Sequence, residues 1–410
     1  MEGSSLGVSV WHCLAGRPQI SMTNRTRLVL LVVTVPILGY TLVGGLLGSV
    51  VAREGTYQHL RVFEDVVSLV TNNYVEPVET ESIIRGALWG LAEGLDSESS
   101  YLTADETKIY TSGSTAGEVG IGLELRRQYY VQVLAARDGS PAAAAGLHAG
   151  DFLRAIDNNP TRMMSTVKAH QLLLGAPGSA VRLSVIRDNA ADPIELEVIR
   201  GSDRSANVSG RVLSPGVGYL RITEFDDDTI RAIESTTDTL KQQGTERLLI
   251  DLRNTAVGSF RTGIAAAALF TDADTLVIRE TSSVQEPFSG TSQPATIGWP
   301  VVLVTNQGTA GAAELFAAAL ADNDRAESVG LRTAGRAAEQ TLVELPEGGG
   351  LLLSSTQYLT SSGASIHRAG VDPAVVVQGP LPTLGQNTSK SDEDPVLDRA
   401  LEHLTAMPTI

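Results

Sequence analysis

The sequence predicts a multidomain α/β protein: an N-terminal transmembrane helix, a helical segment, a glycine-punctuated module and an α/β core. Three observations predict it. Residues 28–52 carry no charge, the stretch 57–110 has apolar residues at helical spacing, and short apolar strands alternate with amphipathic helices beyond residue 204. A length of 410 residues accommodates two or three domains with their own cores. A hydrophobic content of 42% is that of a globular chain. The net charge of −16 disfavours a phosphate backbone, so no nucleic-acid partner is expected. The single cysteine, Cys13, excludes an internal disulfide framework and a zinc cluster. No phosphate-binding loop is present, and neither a metal nor a cofactor is expected.

The run from Leu28 to Ala52 is long enough to cross a bilayer at about 1.5 Å per residue. Arg17, Arg25 and Arg27 precede it, whereas Arg53 is answered at once by Glu54. The positive-inside rule then predicts a cytoplasmic tail at 1–27, an anchor at 28–52 and an exported remainder, in a periplasmic or other extracytoplasmic space. A signal peptide cleaved after Val50-Val51-Ala52 is the competing reading, and Met22 is an alternative start.

Residues 57–113 read as helical. Phe63, Val66, Val67 and Val70 recur at helical spacing, as do Ile83, Ile84, Ala87, Leu88 and Leu91. The run Gly86–Leu91 followed by Leu95-Asp96-Ser97-Glu98-Ser99-Ser100-Tyr101-Leu102 is similar to G-A-I-x-G-M…L-D-P-H-S-S-Y-L. That pattern belongs to the carboxyl-terminal processing (tail-specific) serine proteases. The resemblance implies that this segment helps subunits associate, as a homodimer or as a hetero-oligomer with an active relative.

Residues 114–203 contain Gly139-Ser140-Pro141-Ala142 running to Ala145-Gly146-Leu147-His148-Ala149-Gly150-Asp151, a close match to the G-S-P-A-x-x-A-G-(I/L)-x-x-G-D of PDZ domains. The module therefore resembles a PDZ domain, β-rich with helices. Gly120, Ile121, Gly122 and Leu123 then form its peptide-binding loop, whose backbone N–H groups capture a chain's terminal carboxylate while the peptide adds as a strand. Leu174 stands where many relatives carry an arginine. A PDZ module that serves only as packing is the alternative.

Residues 204–378 form the α/β core. Val217–Phe225, Leu248–Leu252 and Pro300–Val304 are apolar strands, with helical patterns at 227–242 and 259–271. Gln357–Gly363 and Gly370–Pro373 resemble the closing motifs of the same family. The stretch 379–410 is a polar linker and a final helix over 395–406, with Val396, Leu397, Ala400, Leu401 and Leu404 on its apolar side.

The segment Asn306-Gln307-Gly308-Thr309-Ala310-Gly311-Ala312-Ala313-Glu314-Leu315 resembles the family's N-x-G-S-A-S-A-S-E-I, in which the middle serine attacks the peptide bond. Here that position is Gly311. Twenty-five residues on, Thr333-Ala334-Gly335-Arg336-Ala337-Ala338-Glu339-Gln340 matches T-F-G-K-G-x-V-Q. The family's general-base lysine has become Arg336, while the glutamine that orients it is kept as Gln340. Leu249–Asn254 matches I-L-D-L-R-N, but the N-P-G-G that helps bind the oxyanion is replaced by Asn254-Thr255-Ala256-Val257-Gly258, with Val257 and Gly258 in the turn.

A serine–lysine dyad needs a hydroxyl to attack and a neutral amine to take its proton. Glycine offers no nucleophile, and a guanidinium stays protonated in proteins. Loss of a catalytic member costs about a million-fold in turnover in a serine protease. The chain therefore reads as a catalytically degenerate member that binds peptides or protein C-termini, or modulates an active relative. The alternative is an active serine-type endopeptidase working through a rearranged site. Lysines occur only at 108, 168, 241 and 390, so substitutes reduce to Thr309, in a structural role in relatives, and His367 in a polar surface turn.

Overall fold

The computed structural model describes residues 60–113, 117–188, 190–202, 206–289, 295–381, 383–385 and 394–408. The expected tail 1–27 and anchor 28–52 lie outside the described residues, as does most of the linker. Among the described residues no helix is long and apolar enough to cross a membrane. The chain divides into two compact units, Met1–Ile84 and Arg85–Ile410.

In the first unit, helix α1 covers 60–73 and helix α2 begins at Thr80. In the second, α2 (Thr80–Glu93) buries Trp89 and Ala92. Strand β1 (Ser100–Leu102) and helix α3 (Ala104–Ser112) follow. Sequence periodicity predicts only helix over 57–113, and β1 departs from it. Ser100 and Leu102 point inward, and the three residues pair antiparallel with a long strand of the core. A strand this short shows no period of its own; its partner's backbone groups define it. Helix α3 starts at a capping box in which Thr103 and Glu106 bond each other's backbone N–H.

The next module is a six-stranded antiparallel sheet of β2 (Leu123–Gln128), β3 (Tyr130–Ala136), β4 (Phe152–Ile156), β5 (Asn159–Pro160), β6 (Ala180–Ile186) and β7 (Ile194–Ile199). Helices α4 (Pro141–Ala144) and α5 (Thr166–Leu173) cover it. Its own core includes Ile121, Leu125, Val133, Leu153, Leu173 and Leu183. β2 lies at the edge of this sheet.

The core continues as β8 (Val208–Ser214), β9 (Val217–Ile222), β10 (Glu224–Phe225), α6 (Thr229–Gln242), β11 (Arg247–Asp251), β12 (Val257–Gly258) and α7 (Phe260–Ala267). Then come β13 (Val277–Thr281), β14 (Gln285–Phe288), β15 (Val301–Thr305), α8 (Ala312–Asp322), β16 (Ala326–Gly330), β17 (Ala338–Glu344), β18 (Gly350–Thr360), β19 (Val375–Val376) and α9 (Pro395–Ala406). One sheet runs β19-β16-β15-β11-β9-β8, parallel except for β8. Leu248, Ile250, Val301 and Leu303 face the cluster built on α6, α7 and α8, while Leu249, Val302 and Val304 face α9. Burial on both faces is why these strands read as continuous apolar runs. A second sheet, absent from the sequence reading, is antiparallel and unites β1, β18, β13, β14 and β17.

Candidate active site

The turn after β15 is stitched to the turn after β11. Asn306 Oδ1 accepts from the N–H groups of Asn254 (2.9 Å) and Gly308 (3.0 Å), and Asn306 Nδ2 donates to Asn254 Oδ1 at 2.9 Å. Thr309 Oγ1 donates to Leu252 O at 2.8 Å, and Ala310 N–H donates to Thr255 O at 2.9 Å. This lattice delivers Gly311 to the N-cap of α8 with φ 62° and ψ −121°. L-residues seldom adopt that conformation, and glycine adopts it without strain. A Cβ at Gly311 would meet Phe260 Cε1 at 3.3 Å, with Arg336 O at 3.9 Å and Ala256 O at 4.0 Å. The sharp strand-to-helix turn of a nucleophile elbow is present without a side chain on it.

Glu314, fully buried one turn into α8, ties the elbow to the segment carrying Arg336. Its carboxylate accepts from Gly311 N–H (3.0 Å), Thr333 Oγ1 (2.5 Å), Gly335 N–H (2.5 Å) and Arg336 N–H (2.7 Å). Burial pushes its pKa up, against the pull of these four donors. Arg126 of β2 donates from Nη1 to Ala334 O at 3.3 Å, so the antiparallel module touches the same segment.

The Arg336 guanidinium pairs through Nε with Glu98 Oε2 at 3.1 Å. Glu98 lies in the run Leu95–Leu102, at the place where the similar pattern has histidine. Gln340 makes no side-chain hydrogen bond to Arg336, so the orienting contact expected of it is not formed; its side chain lines two cavities instead. One, of about 510 Å³, is lined by Tyr110, Val257, Gly258, Phe260, Gly311, Arg336 and Gln340, among others. The other, of about 610 Å³, lies between β2 and α5, and Tyr110, Arg336 and Gln340 border it too. His170 of α5 lines that second cavity; burial, with the Arg336 charge added, lowers its pKa to about 4.

Val257 and Gly258 pair in parallel with Glu224 and Phe225 and remain on the cleft wall. Gly258 has φ 131°, and a Cβ there would meet Phe225 O at 2.5 Å, so only glycine fits. In the loop that precedes β2, the carbonyls of Gly120, Ile121 and Gly122 accept from the N–H groups of Gly201, Ala142 and Arg137. The N–H groups of these three residues donate to no described residue. Leu123 opens β2 directly after them.

The two substitute residues are not brought to the cleft as nucleophile or base. Thr309 is fully buried with its hydroxyl committed to Leu252 O. His367, expected in a surface turn, is buried, with Nε2 at 3.7 Å from Asp96 Oδ2. Packing is the cause: the Leu95–Ser99 loop lies against this turn, with Asp96 beside His367. Ser365 Oγ donates to the His367 carbonyl, not to its ring. Sequence reasoning missed Glu98, Glu314, Arg126 and His170. Two signals existed: Glu314 at N3 of α8, a capping-box position, and Glu98 in place of a histidine.

Comparison with known proteins agrees with this geometry. Residues 216–377 match the family described as Peptidase family S41, and residues 132–187 match the PDZ domain. The chain is 31% identical over 342 residues to a carboxy-terminal-processing protease of Bartonella bacilliformis, covering 80% of this chain and 77% of that one. It is 30% identical over 334 residues to a carboxyl-terminal-processing protease of Synechocystis sp., covering 79% and 78%. The solved structure of a photosystem II D1 C-terminal processing protease superimposes with a TM-score of 0.65 at 28% identity, covering 75% of this chain and 85% of that one.

Proposed function

The chain belongs to the carboxyl-terminal processing proteases of peptidase family S41, with a PDZ domain, and from that premise we propose that it has lost the working dyad. In this reading it is a membrane-anchored pseudoprotease that binds peptides or protein C-termini, or modulates an active relative. One observation carries the proposal: the elbow at the N-terminus of α8 presents Gly311, and the base position presents a guanidinium paired with Glu98 at 3.1 Å. Neither neighbour stands in for them: the Thr309 hydroxyl donates to Leu252 O, and the His367 ring is buried outside the lining of the cleft, its nitrogens without a hydrogen-bond partner among the described residues and Nε2 3.7 Å from Asp96 Oδ2.

What remains of the site can still bind. β2 is an edge strand, so an extended peptide can add to it through main-chain hydrogen bonds. The free N–H groups of Gly120, Ile121 and Gly122 suit a terminal carboxylate, and the cleft over Gly311 has room for chain without a reaction at its floor. The uncharged run 28–52 and the arginines before it support an anchored chain with a cytoplasmic N-terminus and an exported bulk. Association as a homodimer or with an active relative is part of the same proposal.

The test is covalent labelling. A fluorophosphonate probe is expected to leave the full-length protein unlabelled while labelling an active relative treated in parallel. Stoichiometric labelling of any hydroxyl in this chain sinks the reading.

A further inference from the structure

Building on the peptide-binding reading above, we propose that Arg336 is a specificity determinant of the PDZ groove, selecting peptides with an acidic side chain about two to four residues before the carboxyl terminus. The residue at the former base position would then be a reader of the ligand.

The groove between β2 and α5 holds about 610 Å³, and its lining includes Leu125, His170, Leu174 and Arg336. Arg336 enters this wall from the core. Its Nε edge faces Glu98, whose side chain is only 6% exposed, while the arginine side chain is 31% exposed. Neither Nη hydrogen-bonds to a described residue. A guanidinium is a rigid planar fork, so fixing one edge on a buried carboxylate orients the other for a second, bidentate carboxylate. The other cation of the groove, Lys168, bonds through Nζ to the neutral Gln171 Oε1 at 2.7 Å and keeps its charge and two further donors, so the Arg336 variants below separate its contribution from that of Arg336. His170, with its pKa lowered to about 4, is neutral at pH 7 and supplies no competing charge.

Register sets the position of the acid. A peptide that places its terminal carboxylate on the N–H groups of Gly120–Gly122 runs antiparallel along β2, at about 3.4 Å per residue. Leu125 is two residues along β2 from Leu123 and lines the same cavity as Arg336. The side chain opposite it therefore comes from about two to four residues before the peptide's end. The chain's net charge of −16 repels acidic peptides in general, so acceptance of one requires a local cation such as Arg336.

The experiment uses fluorescent alanine-rich nonapeptides with a free carboxyl end and one Glu placed second to fifth from it, each beside its Gln counterpart. Anisotropy is read against the full-length protein in detergent and against Arg336→Gln and Arg336→Lys, with melting curves confirming that each variant is folded. One Glu position is expected to bind about ten-fold more tightly than its Gln counterpart, as for a charge-assisted hydrogen bond. That preference should vanish in Arg336→Gln and shrink in Arg336→Lys. Equal binding of Glu and Gln peptides to the wild-type protein, or a preference that survives Arg336→Gln, overturns the assignment but leaves peptide binding standing. Absence of binding by any peptide overturns both.

Discussion

Placing a hydroxyl at Gly311 tests how much catalytic apparatus surrounds the positions that match the family's nucleophile and base. Gly311→Ser must adopt φ 62° and ψ −121°. The added Cβ meets Phe260 Cε1 at 3.3 Å, a contact that a small ring shift relieves, and its other neighbours are at 3.9 Å or beyond. The cost is thus mainly backbone strain, about 1–3 kcal/mol. Activity should stay absent, because Arg336 still cannot accept a proton. Adding Arg336→Lys supplies an amine but leaves it beside Glu98, which is 3.1 Å from the present guanidinium. At about 4 Å and an effective dielectric near 20 that carboxylate favours the ammonium by roughly 4 kcal/mol, which cuts the neutral fraction about a thousand-fold. Only the triple variant Gly311→Ser/Arg336→Lys/Glu98→Gln should gain measurable activity. The assay is fluorophosphonate labelling together with cleavage of an unstructured reporter, and urea unfolding measures the strain. Labelling of Gly311→Ser alone at the triple variant's rate would refute the reasoning, since it would mean that no amine base is needed.

Glu314→Ala leaves three backbone N–H groups without their buried acceptor and should destabilise by about 4 kcal/mol, whereas Glu314→Gln, which keeps one acceptor oxygen, should cost about 2–3 kcal/mol; urea denaturation distinguishes these from a neutral change. Acid should unfold the protein through two carboxyls held low. Burial alone would raise Asp251, but Arg253 and Arg221 lower it; burial would likewise raise Asp96, but His367 and the N–H groups of Ser99 and Glu98 lower it. Depressed folded-state values stabilise above the unfolded value of about 3.9, so stability should hold above about pH 5 and fall below about pH 4. A flat urea midpoint down to pH 3 would contradict this. A reporter active only outside the cytoplasm, fused after Phe225, should be active and sediment with membranes. A soluble exported form beginning near Arg53 would show instead that residues 28–52 are a cleaved signal.

The parts of the fold legible in the sequence are those whose burial repeats along the chain. Leu248–Leu252 and Pro300–Val304 read as buried strands because both faces are covered. Helix α9 is legible because Val396, Ala400 and Leu404, one turn apart, are its buried face. The antiparallel sheet is hidden because β17 has no regular inward alternation, and β1 because three residues carry no period. At the site, Gly311 and Arg336 are legible because the short segments around them resemble the family's nucleophile and base motifs. The Glu98–Arg336 pair joins segments far apart in the chain, and so does the contact of His367 with Asp96 that draws a polar turn inside. Neither partnership leaves a local pattern to read.

The most direct measurement of the central claim is proteolysis by the wild-type protein itself. Full-length protein in detergent is incubated with an unstructured protein that ends in an apolar C-terminus, and intact substrate is followed over time. With no side chain at Gly311 and a guanidinium in place of an amine at Arg336, no time-dependent loss is expected. Cleavage that Thr309→Ala or His367→Ala abolishes, with those variants still folded, would contradict the account and establish a rearranged active site.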